Sequence, residues 1–129
     1  MIYLLDTTII IDAINGKRNR PEQLEELITG GNLLACCPIN VTEVYAGMRP
    51  GEEEATERLL QSLKLYPVTF PIARLAGILK RNYSKKGKTL TVPDATIAAV
   101  AIYNGLPLIT DNVKDFPREE LQLYPLQSP

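Results

Sequence analysis

The length and composition of the chain exclude several classes of protein. It has 129 residues, 45% hydrophobic and 22% charged, with a net charge of -1, so we expect one globular domain and no broadly basic surface. It contains no histidine, which excludes Ser-His-Asp and Cys-His catalysis and Cys/His zinc sites. We expect no secretory leader and no membrane span, and we predict a cytoplasmic protein in which the adjacent Cys36 and Cys37 stay reduced.

Strand and helix patterns alternate along the chain. Apolar runs predict strands at 3–5, 33–37, 66–70, 106–110 and 121–124. Amphipathic or apolar segments predict helices that begin at 6 or 7, 21, 40 or 42, 52, 71 and 92. This order is typical of a parallel sheet covered on both faces, in a single α/β domain over residues 1–126 with a tail at 127–129.

Acidic residues stand where strands end or where the following helices begin. Asp94 is the single charge between residues 91 and 103, in a helix otherwise suited to burial. Ligand sites of open parallel sheets form beyond the carboxyl ends of the strands, so these acids could converge there. Each acid alone has an ordinary explanation, such as a helix cap for Asp6 or a turn for the later aspartates. The set comprises Asp6, Glu43, Asp94, Asp111 and Asp115.

Converging carboxylates need compensation by positive charge. Mg²⁺ or Mn²⁺ supplies it and prefers oxygen ligands. Such sites hydrolyse phosphodiesters without histidine. A basic cluster could then contact phosphates at the rim, although taken alone it is more often a solvated helix end; its members are Arg81, Lys85, Lys86 and Lys88. Hydroxyls that could orient a water or a ligand carboxylate, or simply cap helices and turns, are those of Thr7, Thr8 and Thr110.

Four segments of the chain resemble the PIN domain, most of all the VapC-type toxins of prokaryotic toxin–antitoxin pairs. They are Leu-Leu-Asp-Thr-Thr at 4–8, Val-Thr-Glu-Val at 41–44, Pro-Asp-Ala-Thr-Ile-Ala-Ala at 93–99 and Leu-Ile-Thr-Asp-Asn-Val-Lys-Asp-Phe at 108–116. They occur in the family's order, and the resemblance extends from residue 1 to about 126. One position departs from the pattern, because Thr8 stands where the family usually has asparagine.

The resemblance implies a three-layer α/β/α fold with a mostly parallel five-stranded sheet. It also implies an endoribonuclease dependent on Mg²⁺ or Mn²⁺, inhibited by a cognate VapB-like antitoxin and commonly a homodimer. Asp6, Glu43 and Asp94 match the family's acids. Asp115 fits the Asn-x-x-Asp-Phe ending that begins at Asn112 and is the preferred fourth acid, but Asp111, directly after the strand, stays open as the alternative.

Four other functions are alternatives to a ribonuclease toxin, and each makes a demand on the sequence or on its gene neighbourhood. A non-catalytic PIN-like module that binds RNA or protein would be favoured by a lost acid, and none of Asp6, Glu43 and Asp94 is lost. A stand-alone RNA-processing nuclease would lack a neighbouring antitoxin gene. A phosphoacceptor signalling domain needs an aspartate at the end of its central strand, where Pro38 and Pro71 follow the candidate strands. An Asp-x-Asp phosphatase is excluded by Thr8.

Overall fold

The computed structural model describes residues 1–117 and 119–126, and the predicted tail at 127–129 lies outside them. Five strands form one sheet in the order β3-β2-β1-β4-β5, and every neighbouring pair is parallel. The sheet therefore confirms the α/β prediction. The strands are β1 (Ile2–Leu5), β2 (Leu33–Cys36), β3 (Lys64–Leu65), β4 (Leu108–Ile109) and β5 (Leu123–Tyr124).

α-Helices connect β1 to β2, β2 to β3 and β3 to β4, since a parallel pair needs a crossover connection. A single 3₁₀ turn, Val113–Asp115, follows β4. The α-helices are α1 (Thr7–Ile14), α2 (Arg20–Thr29), α3 (Pro38–Ala46), α4 (Glu53–Ser62), α5 (Phe70–Lys85) and α6 (Val92–Asn104). No helix within the described residues combines the length and apolar character needed to cross a membrane.

Apolar side chains of the strands point alternately to the two faces of the sheet, and each face carries its own hydrophobic core. Leu4 and Ala35 pack with α5 and α6 on one face, whereas Leu5 and Cys36 pack with α1, α2 and α4 on the other. Successive side chains of a strand point to opposite faces of the sheet, and both faces of this sheet are covered by helices. The fold is thus three-layered. Cys36 and Cys37 fall in different cores and are free thiols.

The strand predicted at 66–70 is wrong. Pairing with β2 is made by Lys64 and Leu65, and Phe70 already belongs to α5. Pro67 has no N–H to donate to a ladder, which limits any strand through this segment. The edge of the sheet therefore carries two exposed residues in place of an apolar run.

The start predicted for α3 at Asn40 or Thr42 is also wrong, because the helix begins at Pro38. Proline is favoured at the first helical position, where a missing N–H costs nothing. The Cys37 N–H donates to Asn40 Oδ1 over 2.8 Å, so the helix start is closed by a side chain from its own first turn. As a result Glu43 lies in the second turn of α3.

Helix α6 is the central buried helix, and both of its ends are closed locally. Its apolar residues Ile97, Ala98 and Val100 are fully buried. Thr91 Oγ1 accepts a hydrogen bond from Asp94 N over 3.2 Å at the start. Gly105 adopts a left-handed conformation, with φ of 66°, at the end. These caps hold the first turn of α6, and with it Asp94, in place.

A pair of glycine substitutions tests the importance of this helix end. Gly105→Ala should lower the free energy of unfolding by about 1 kcal/mol, because alanine resists positive φ. Gly77→Ala, inside α5, should raise it by up to about 1 kcal/mol through helix propensity. Apart from the chain neighbours and the nearby backbone of its own helix, a Cβ at either position meets no atom within 4 Å, so packing does not obscure the comparison. Urea unfolding measures both values, and equal effects would contradict the assigned role of Gly105.

Candidate active site

The strand order brings four acids together at the carboxyl ends of the strands. Strand β1 lies between β2 and β4, so the segments that leave these three strands at their carboxyl ends are neighbours. Asp6 follows β1, Glu43 belongs to α3 after β2, and Asp115 ends the 3₁₀ turn after β4. Asp94 lies in the first turn of α6. The site therefore forms just beyond the carboxyl ends of the buried strands.

Asp6 is the most enclosed of these acids, with only 4% of its surface exposed. Its Oδ1 accepts from Thr7 N over 2.8 Å. Its Oδ2 accepts from Thr110 Oγ1 over 2.7 Å and, more weakly, from Thr8 Oγ1 over 3.4 Å. Burial raises the pKa of Asp6, the hydrogen bonds from Thr110 and Thr7 oppose that rise, and the charge of Glu43 adds to it. Neutral donors therefore hold this carboxylate.

Glu43 is held through Thr7. Thr7 Oγ1 donates to Glu43 Oε1 over 2.7 Å, and Asn40 Nδ2 lies 2.9 Å from the same hydroxyl. Thr7 is also the residue whose backbone N–H donates to the carboxylate of Asp6, the N-cap of α1. One threonine at the start of α1 consequently links two of the acids.

The pKa of Asp94 is affected by the charges of the other three acids. Burial raises its pKa to about 6, and the charges of Asp6, Glu43 and Asp115 contribute, while the hydrogen bond with Thr91 opposes the shift. These four carboxylates therefore share one negative field. Within residues 1–117 and 119–126, no three His, Cys, Asp or Glu side chains already stand together as a metal site. The oxygen donors suit a hard divalent cation chemically, and direct ligation would require side-chain adjustment.

Asp111 has a different environment from the other acids. Its carboxylate forms ion pairs with Arg20 and, over 3.2 Å, with Arg18. The side chain of Arg20 is completely buried, and its Nε lies 3.9 Å from Asp12 Oδ2. These contacts tie the loop after β4 to α1 and to the start of α2. Arginine already neutralises Asp111, so this acid has less need of a metal ion than the other four.

Asn112 serves the site through its main chain. Its N–H donates to Thr110 Oγ1 over 3.0 Å, and its carbonyl accepts from Asp115 N over 3.0 Å. The Thr110 hydroxyl thus accepts from Asn112 and donates to Asp6. This arrangement orders the segment between β4 and Asp115.

A half-open pocket of about 640 Å³ lies beside Asp115. Lys88 lines it, and the ammonium groups of Lys86 and Lys88 lie 5.1 and 5.9 Å from the ring centroid of Tyr83. Arg81 and Lys85, which the sequence groups with them, are exposed outside the pocket lining. The lining residues are Tyr83, Lys88, Thr89, Lys114, Asp115, Phe116 and Glu119.

Comparison with known proteins identifies the family. Residues 3–118 match the sequence profile of the PIN domain. The chain belongs to the PIN-domain family. Ribonuclease VapC19 of Mycobacterium tuberculosis is 36% identical over 114 residues, covering 88% of this chain and 91% of that protein. Ribonuclease VapC10 of the same species is 34% identical over 124 residues, covering 96% and 92%.

A solved structure agrees with this placement of the PIN domain. The VapBC2 complex of Rickettsia felis, bound to a DNA fragment from its promoter, superposes with a TM-score of 0.82. The sequences are 28% identical, and the match covers 98% of this chain and 100% of the compared one. The resemblance to VapC-type proteins predicted from the four sequence segments is therefore confirmed.

Sequence reasoning missed three residues around the PIN-domain site. The sequence predicts Asn40 only as a possible helix start, whereas the residue is fully buried and hydrogen-bonded to Thr7. The sequence predicts no partner for Arg20 and no place in a pocket for Lys114. An asparagine one helical turn before Glu43 was a signal for a shared helix face. No sequence signal could have paired Arg20 with Asp111, which lies 91 residues away.

The raised pKa of Asp94 predicts a pH-dependent effect on stability. A carboxyl with a folded pKa of about 6 and an ordinary value of 3.8 destabilises the folded state above pH 6, and this penalty vanishes below about pH 4. In metal-free buffer, Asp94→Asn should therefore raise the free energy of unfolding by about 1–2 kcal/mol at pH 7.5, after allowance for solvent screening. The gain should shrink as the pH falls from 6 to 4.

Chemical denaturation across this pH range, with chelator present, measures the difference. Glu26→Gln removes one exposed carboxylate from α2 and serves as the matched control, with little change at any pH. A stability difference between Asp94→Asn and wild type that does not vary with pH would contradict the shared-field description.

Proposed function

We propose that this PIN-domain protein is an endoribonuclease that depends on Mg²⁺ or Mn²⁺ and acts as the toxin of a toxin–antitoxin pair. The main support is the group formed by Asp6, Glu43, Asp94 and Asp115, in which burial and mutual repulsion raise the pKa of Asp94 to about 6. Relatives named Ribonuclease VapC support the same activity.

The four acids would hold the metal ion. When bound, such an ion supplies an activated water and neutralises charge on the leaving oxygen of a phosphodiester. Asp6 is already oriented by Thr110 and by the backbone of Thr7, so it would present a fixed carboxylate. Thr8 is exposed and bonds Asp6 only weakly, which fits a minor orienting role. Asp111 is left out of the proposed ligand set because arginines neutralise it.

RNA would approach from the side of the pocket beside Asp115. Lys88 and Lys114 line that pocket, and ammonium groups there would attract the phosphate backbone. Lys86 packs on Tyr83 next to it. Exposed Arg81 and Lys85 on α5 would extend the positive surface away from the acids. Contacts of this kind position a strand and do not read its sequence.

The partner protein would be a VapB-like antitoxin, as the VapBC complex of Rickettsia felis suggests. A groove of about 750 Å³, lined largely by apolar side chains of α1, α2 and α4, offers room for one of its segments. Exposed Ile28 and Leu33 lie in this groove, and an apolar antitoxin segment would cover them. Homodimerisation remains a prediction from the family resemblance, and a cytoplasmic location remains a prediction from the two cysteines expected to stay reduced and from the expected lack of a secretory leader.

Removal of one acid provides the test of activity. Asp94→Asn should lower the rate of RNA cleavage in Mg²⁺ or Mn²⁺ by more than about 100-fold. The loss of a direct metal ligand should cost more activity than the loss of a residue that only hydrogen-bonds to a ligand. Thermal unfolding should still show a cooperative transition, because the substitution preserves shape. Cleavage of a fluorescent single-stranded RNA measures the rate, with Glu26→Gln as control.

Two results would contradict the proposed function. Normal cleavage by Asp94→Asn would remove this acid from the site. A wild-type protein that binds RNA without cleaving it in either metal would instead be the non-catalytic module considered above. A neighbouring reading frame that encodes a small DNA-binding protein would support the toxin role over a stand-alone RNA-processing nuclease.

A further inference from the structure

Asn40 is a fully buried polar residue in the first turn of α3. Its Oδ1 lies 2.8 Å from Cys37 N and 3.3 Å from Cys37 Sγ. Its Nδ2 lies 2.9 Å from Thr7 Oγ1, which in turn lies 2.7 Å from Glu43 Oε1. A continuous chain of hydrogen bonds therefore runs from the start of α3 to a carboxylate of the site.

The direction of every bond in this chain follows from chemistry. A backbone N–H only donates, so the atom of Asn40 facing Cys37 N must be the acceptor Oδ1. The amide nitrogen Nδ2 then faces Thr7 and donates to its hydroxyl. Thr7 has one hydroxyl proton, and with Nδ2 already donating to its oxygen, that proton is directed to Glu43. Glu43 is consequently the acceptor at the end of the chain.

We propose that Asn40 is a positioning residue for Glu43, acting through the hydroxyl of Thr7. The amide orients the hydroxyl, and the hydroxyl fixes one carboxylate oxygen of Glu43 while the other stays available to a cation. The inference rests on the proposed function, because it gives Glu43 a metal to hold. Partners of this kind, behind metal ligands, typically change metal affinity about 10–100-fold.

Asn40 also closes the start of α3, and the two roles can be separated experimentally. The bond from Cys37 N stabilises the helix end and does not involve Thr7. The bond to Thr7 reaches α1 and the site. Loss of the first should lower stability whatever stands at position 7. Loss of the second should matter for metal affinity only while position 7 carries a hydroxyl.

A double-mutant cycle on Mn²⁺ affinity, measured by calorimetry without RNA, tests the inference. Thr7→Val and Asn40→Ala should each weaken Mn²⁺ binding about 10-fold, and the double variant should be no weaker than the weaker of the two. Thr7→Ser, which keeps the hydroxyl, should bind like wild type. The loss of thermal stability caused by Asn40→Ala should persist in the Thr7→Val background.

Other outcomes distinguish a failure of the positioning role from a failure of the proposed metal function. Mn²⁺ binding by Asn40→Ala as tight as by wild type, or single effects that multiply in the double variant, would overturn the positioning role alone. A wild-type protein that binds no Mn²⁺ would overturn the proposed metal function and this inference together. If Asn40→Ala does not fold, Asn40→Ser replaces it, because its side chain ends one atom short of the amide nitrogen that reaches Thr7.

Discussion

The buried carboxylate of Asp6 is the constraint on which the rest of the site depends. Hydrogen bonds from Thr7 N and Thr110 Oγ1 join the end of β1 to the start of α1 and the end of β4. A hydrogen bond to a charged group contributes about 1.5–3 kcal/mol, and leaving such a group unsatisfied in the interior costs more. The three segments must therefore keep their relative positions for Asp6 to remain buried, and the other acids are arranged around it.

The acids of this edge are compensated in two different ways. Asp111 receives its positive charge from within the chain, through Arg18 and the buried Arg20. Asp6, Glu43, Asp94 and Asp115 form no ion pair among the described residues, and only neutral donors are observed at Asp6 and Glu43. A cation from solution would relieve their repulsion, whereas at Asp111 it would have to displace arginine. This contrast favours Asp115 over Asp111 as the fourth ligand in the proposed function.

Local chemistry explains which elements the sequence could predict. Helix α6 is predictable at its observed bounds because Thr91, Pro93 and Gly105 are strong signals at its two ends. Strand β3 could not be predicted, because its pairing with β2 uses two exposed edge residues without an apolar pattern. The position of the acids at strand ends follows from the alternating topology. Their role as metal ligands remains a prediction.

Tertiary contacts account for what the sequence could not reveal about the site. The buried Arg20 is paired with Asp111, which lies far along the chain, and no local sequence pattern predicts such a pair. Asn40 is read from the sequence as a helix-start residue, and only the approach of α1 to α3 shows that it also reaches Thr7. Residues that orient ligands have weaker local signatures than the ligands themselves, because their identity depends on which elements meet.

Locating Mn²⁺ by anomalous scattering in crystals of the wild-type protein is the most direct test of the central claim. We expect one or more ions bound by at least two of Asp6, Glu43, Asp94 and Asp115, with Asp111 still paired to Arg20. An ion bound at Asp111, or no ion at this edge of the sheet when Mn²⁺ is in large excess, would contradict it.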